Sequence, residues 1–139
     1  MKFLVLVKAT TDSENGVMPS AELISAMMKY NEELLKAGVL LDLAGLQPTA
    51  KAARVRFSGA SRSVIDGPFS ETKELVAGYW LIQVKDLAEA VEWVKRCPNP
   101  MLTDSEIEIR PLFEMADFDD VKPETLEAAA RIEAELKKS

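Results

Sequence analysis

Between Asp66 and Val84 the chain passes from a tight turn into a strand that has to be buried on both sides. Asp66-Gly67-Pro68-Phe69 makes a Gly-Pro turn with a carboxylate at its mouth, and a polar loop follows, carrying Glu71, Lys73 and Glu74. From Val76 the residues turn apolar, with Trp80, Ile82 and Val84 alternating with Tyr79, Leu81 and Gln83. Successive strand residues point to opposite faces, so large apolar groups lie on both faces of this strand. A sheet built around it needs helices on one side and further cover on the other. A second copy of the chain, pressed sheet to sheet, is the economical cover.

The remaining elements follow from periodicity and punctuation. Residues 2–8 are an apolar, β-branched run that reads as a buried first strand, and residues 12–19 read as a loop. Ser20 can cap a helix over about 20–37, whose Leu23, Met27, Tyr30 and Leu34 repeat at helical spacing before Gly38 ends it. Residues 39–51 mix apolar residues with the break Gly45-Leu46-Gln47-Pro48. Ala53 to Phe57 alternates as a strand with one wet face, Gly59 turns the chain, and Ser63-Val64-Ile65 returns. Asp86-Leu87-Ala88-Glu89 matches a capping box for a second helix that Pro98 and Pro100 end, and Glu106 to Arg110 alternates as the last strand. The resulting order, β-α-β-β-β-α-β, is a ferredoxin-like α+β arrangement with an elaborated central hairpin, both helices covering one face of the sheet. Pro123-Glu124-Thr125 opens a further helix with a thin apolar stripe. The chain thus divides into a domain over 1–115 and an acidic helical tail over 116–139.

Composition narrows the chemistry. The 139 residues suit one domain, and no run approaches the roughly 20 apolar residues of a membrane span. The five-residue apolar run after Lys2 is ended by Lys8 without a cleavage site, which points to a strand and to a cytoplasmic protein. Eight of the 23 acids but only four of the 17 bases fall in residues 114–139. Acidity is thus a property of the tail, and no basic stripe favours direct nucleic-acid binding. With one cysteine, Cys97, no intrachain disulfide can form. With no histidine, the usual general base and the usual metal ligand are both missing. The expectation is a chain without metal or cofactor, whose acid–base chemistry falls to carboxylates, lysine or tyrosine.

Eight collinear segments carry a family resemblance: Tyr30-Asn31-Glu32-Glu33-Leu34, Ala37-Gly38-Val39-Leu40, Gly45-Leu46-Gln47-Pro48, Asp66-Gly67-Pro68-Phe69, Glu71-Thr72-Lys73-Glu74, Gly78-Tyr79-Trp80, Arg96-Cys97-Pro98 and Glu108-Ile109-Arg110-Pro111. In these the chain resembles the YCII-related, or DGPF-domain, proteins. The resemblance implies a homodimeric α/β barrel, two ferredoxin-like sheets facing each other, with kinship of fold to muconolactone isomerases and small cofactor-free monooxygenases. More distant members carry a His-Asp pair in a cleft; this chain lacks the histidine but matches the turn aspartate at Asp66. The resemblance also implies an association with sigma-factor regulators, hence an alternative role as a non-catalytic interaction module.

Candidate site residues gather around the turn. Asp66 either accepts the turn's backbone amides or contacts a substrate, and Asp66 or Glu74, if buried, could act as a base. Phe69 anchors the loop or stacks on a ligand. Glu71 and Lys73 form a solvated face or bind a small polar metabolite. Arg110 pairs with Glu106 and Glu108 or binds substrate. Tyr30 and Gln47 could add a phenol and an amide, although Tyr30 lies on the apolar helix stripe.

Overall fold

The structure, a computed structural model, describes residues 1–138. Its core is a four-stranded antiparallel sheet in the order β2-β5-β1-β6, formed by β1 (Lys2–Lys8), β2 (Leu40–Gly45), β5 (Val76–Gln83) and β6 (Ile107–Pro111). Helix α2 (Ala21–Lys36) crosses from central strand β1 to edge strand β2, and α3 (Leu87–Lys95) from central β5 to edge β6, which gives the ferredoxin-like fold. A separate two-stranded ribbon, β3 (Ala53–Ser58) with β4 (Ser61–Asp66), is inserted between β2 and β5.

Local chemistry sets the boundaries. The Ser20 hydroxyl accepts the Leu23 amide at 3.1 Å to start α2. Gly38, at φ 74°, ends the helix in a conformation that costs a side-chain-bearing residue energy. At α3 the Asp86 carboxylate accepts the Glu89 amide at 2.9 Å, while the Glu89 carboxylate accepts the amide of Lys85. The box predicted there is therefore closed one residue earlier than expected.

Two elements depart from the sequence reading. Residues 40–45, within the mixed stretch, form edge strand β2, which pairs with β5 across a register shift between Leu40 and Asp42. That irregularity destroys the alternation by which a strand is recognised. Within the predicted loop, α1 (Thr11–Glu14) is a single turn, closed by a reciprocal box between Thr10 and Ser13.

Phe3, Val5 and Val7 of β1 and Trp80 and Ile82 of β5 are buried with Tyr30 and Leu34 of α2 and Ala90 of α3. These residues weld both helices to one face of the sheet. The other face presents Leu4, Leu6, Tyr79 and Leu81, all part-exposed. The ribbon is exposed along both strands; Val64 and Phe57 are each 69% accessible.

Helix α4 (Pro123–Lys137) contains no buried residue, and Ile132 on its stripe is 62% exposed. Deletion of residues 118–139 is therefore expected to move the melting temperature of the remaining body by less than about 2 °C. Calorimetry on the two chains checks this, and a marked loss of stability would mean that the tail packs on the body.

Candidate functional site

The Asp-Gly-Pro-Phe turn is held by its backbone. The Gly67 amide donates to the carbonyl of Ala52 at 2.9 Å rather than to the Asp66 carboxylate, and the Phe69 amide donates to the Thr49 hydroxyl at 3.0 Å. Thr49 in turn donates its own amide, at 3.2 Å, and its hydroxyl to the Glu14 carboxylate at the end of α1. The turn, the Thr49–Lys51 helical turn and α1 form one hydrogen-bonded brace. Gly67 is obligatory within it: a Cβ there would overlap the Thr49 carbonyl oxygen. The peptide Gly67-Pro68 is cis.

Around this brace the candidates spread out. Phe69 is half-buried under the Arg54 guanidinium, 3.6 Å from the ring centroid, and Arg54 also lies 3.9 Å from Glu71. Asp66, Glu71, Lys73 and Glu74 are all exposed in the single chain. Arg110 stands 3.9 Å from Glu108 on the last strand. Tyr30 is buried in the core, its hydroxyl donating to the Trp93 carbonyl at 2.8 Å and its ring edge-on to Trp80. The structure thus brings Asp66, Phe69 and Glu71 to one loop and leaves Tyr30 and Arg110 elsewhere.

Burial pushes the Tyr30 phenol well above its ordinary range, with Cys97 adding to the effect and Arg96 opposing it. Burial likewise raises the neighbouring Cys97 thiol to about 11 from an ordinary 9.0. Both groups are neutral when folded and ionise more readily when unfolded, so the stability they contribute is full below the unfolded values. Folding stability is therefore expected to fall as pH rises from about 9 to 11. Urea titrations across that window check this, and the Cys97→Ala chain should show a shallower fall.

A half-open cleft lies beside the brace, between α2 and the β2–β5 edge. An inner cavity of about 310 Å³ is walled by Leu23, Ile24, Met27 and Met28 of α2, with Leu43, Gly45, Gly78 and Trp80 across from them. An outer cavity of about 390 Å³ runs on past Met18, Leu46 and Gln47 to Thr10, Asp12 and Ser13 at α1. The two share Pro19, Leu23, Gly45, Ala77, Pro100 and Met101, which makes them one cleft. The Thr10 hydroxyl lies 3.5 Å from the Met101 sulfur and ties the 100–101 loop to the mouth. Among the candidate site residues named from the sequence, Gln47 alone lines this cleft in the described residues. The signal missed was the pair Gly45 and Gly78, which stand opposite each other in the β2–β5 ladder.

Gly45 and Gly78 share the helix-facing side of the sheet, since Gly78 also pairs with buried Val7. A Cβ on Gly45 would meet nothing within 4 Å. The absent side chain is what leaves the cleft open. Polar groups in the inner cavity are few: the Asn31 carboxamide oxygen accepts the Trp80 indole N–H at 2.7 Å, while the Tyr79 hydroxyl donates to Asp42 at 3.3 Å on the opposite face of the sheet.

Comparison with known proteins places the chain in a family. A curated protein of Rhizobium meliloti (strain 1021), itself uncharacterised, is 38% identical over 91 residues, which cover 66% of this chain and 70% of that one. A family model, the YCII-related domain, matches residues 1–116. The chain belongs to the YCII-related domain family.

Proposed function

We propose that this chain is a small-molecule-binding domain, acting as a cofactor-free enzyme or as a binding protein, whose ligand sits in the cleft between α2 and the β2–β5 edge. The observation that carries the reading is the continuity of the two cavities along one shared, mostly apolar wall. A concave, largely preformed apolar space with a few polar groups is the usual form of a small-molecule site. The family turn enters as the brace of the outer end: through Thr49 and Glu14 it fixes α1, which carries Asp12 and Ser13 at the cleft wall.

The working unit in this reading is a homodimer. Leu4, Leu6, Tyr79 and Leu81 on the open sheet face need cover, and so does a two-stranded ribbon that is marginal alone in water. Proton transfer by Asp66 or Glu74 belongs to the same reading only where the partner copy or a ligand covers these exposed carboxylates.

A thermal-shift screen of a small-metabolite library on wild type, Asp66→Asn and Gly45→Val tests the proposal. A ligand at about 100 times its dissociation constant adds roughly 2.7 kcal/mol, a shift of several degrees at this chain length. Hits retained by Asp66→Asn and lost in Gly45→Val are the expected result. Hits lost in Asp66→Asn instead would move the site to the turn, and a flat screen on a folded dimer would remove the binding reading altogether.

A further inference from the structure

We propose that the cleft is shaped for a flat, uncharged aromatic molecule lying against the backbone of the Gly45–Gly78 pair. The inference rests on the binding reading above and names the class of ligand.

Shape comes first. Along the cleft face of the β2–β5 ladder, Leu43 stands opposite Trp80, and the next pair on that face is Gly45 opposite Gly78. Two missing side chains in register leave a bare strip of peptide backbone as floor, with Leu23 and Met27 of α2 on the facing wall. Gly78 cannot regain a side chain freely, because a Cβ there would lie 3.0 Å from the Ala44 carbonyl oxygen and 3.4 Å from the Gly45 Cα. Gly45 could carry one without steric conflict, since it has open space and no positive φ. The depth freed by omitting side chains suits a ring lying at about 3.5–4 Å, the optimal carbon–carbon separation. A puckered ring system of the same outline is thicker and fits poorly.

The lining chemistry points the same way. Of the six methionines in the chain, four, Met18, Met27, Met28 and Met101, line the cleft. Thioethers make favourable contacts with aromatic ring edges and adapt their rotamers to an irregular guest. Trp80 adds an aromatic wall.

Charge is the third element. Among the described residues no Lys, Arg, Asp or Glu lines the inner cavity, and the outer one has the single carboxylate Asp12. An ionised ligand in this half-open cavity would lose part of its hydration without a counter-charge, which is costly. One weakly held polar group can orient a neutral guest. The Asn31 side-chain nitrogen has the Met28 sulfur, a weak acceptor, at 3.8 Å and can donate to a ligand oxygen.

Isothermal titration of the full-length protein with 2-acetylnaphthalene, its carboxylate isostere 2-naphthoate and its saturated counterpart 2-acetyldecalin tests the idea. The expected result is binding of 2-acetylnaphthalene at least ten-fold tighter than either analogue. Gly45→Val should weaken it at least ten-fold while leaving the melting temperature of the free protein unchanged. Equal affinity for the saturated ketone would overturn the shape argument, and equal affinity for the carboxylate would overturn the charge argument. If none of the three binds while the metabolite screen yields hits lost in Gly45→Val, the ligand class is wrong and the cleft reading stands. If both experiments are blank, both fall.

Discussion

Gly67→Ala is expected to detach the Asp-Gly-Pro-Phe turn from the body. The added methyl group would meet the Thr49 carbonyl oxygen, and the Ala52 carbonyl oxygen lies within 3.4 Å of the same point. Both are backbone atoms of a segment already fixed by its own helical turn, so neither gives way as a flexible side chain would. Keeping the native turn would cost about 3 kcal/mol or more, the upper range for forced overpacking. The chain avoids that cost by letting the turn swing away. The Phe69 amide then loses Thr49, and the ring stacked under Arg54 leaves its place. The readout is hydrogen exchange: the Gly67 and Phe69 amides should lose their protection while the amides of β1 and β5 keep theirs. Gly59→Ala is the control. It sits at positive φ, 57°, which Gly67 does not, and in open space, so only the conformational cost of about 1 kcal/mol applies. Protection at Gly67 unchanged in Gly67→Ala would show that the close approach does not exist.

Leu34→Ala is expected to be the more damaging change for the whole fold. Leu34 is 1% exposed at the centre of the cluster that joins α2 to the sheet, beside Tyr30, Val39 and Ile82. Removing its branched end deletes buried apolar contacts and leaves a cavity that rigid strands cannot collapse around. The loss should lie in the range of about 2–5 kcal/mol, a fall in melting temperature on the order of 10 °C. Because α2 supplies the cleft wall through Leu23, Ile24, Met27 and Met28, ligand affinity should fall with it. Urea midpoints measure the first effect and calorimetric titration the second. Leu35→Ala, at a position 64% exposed on the same helix, should change stability by less than about 0.5 kcal/mol.

The sequence made the frame legible wherever one regular period ran unbroken. The alternation of Val76 to Val84, the helical stripe from Leu23 to Leu34 and the caps at Ser20 and Asp86 all correspond to observed elements. Strand β2 was hidden because its register slips between Leu40 and Asp42, and α1 because one turn of helix has no periodicity to display. The candidate site was legible in a different way. Charged residues on a signature loop draw the eye, yet in the single chain Asp66, Glu71, Lys73 and Glu74 face water. The cleft is lined by residues that read as helix stripe or chain break: Met27 as core, Gly45 as the start of a Gly-Leu-Gln-Pro interruption. Only strand pairing brings Gly45 opposite Gly78, 33 residues away in sequence. A cavity made by missing side chains on two separate strands has no local signature.

Everything proposed here turns on a small molecule occupying the cleft between α2 and the β2–β5 edge. Its most direct test is a set of amide nitrogen–proton correlation spectra recorded while the tightest-binding compound is titrated into the protein. The Gly45 and Gly78 amides, with those of Leu23, Met27 and Met101, are expected to shift together along one binding curve. Shifts gathered instead on Asp66 to Glu74, with Gly45 and Gly78 unmoved, would contradict it and place the ligand at the turn.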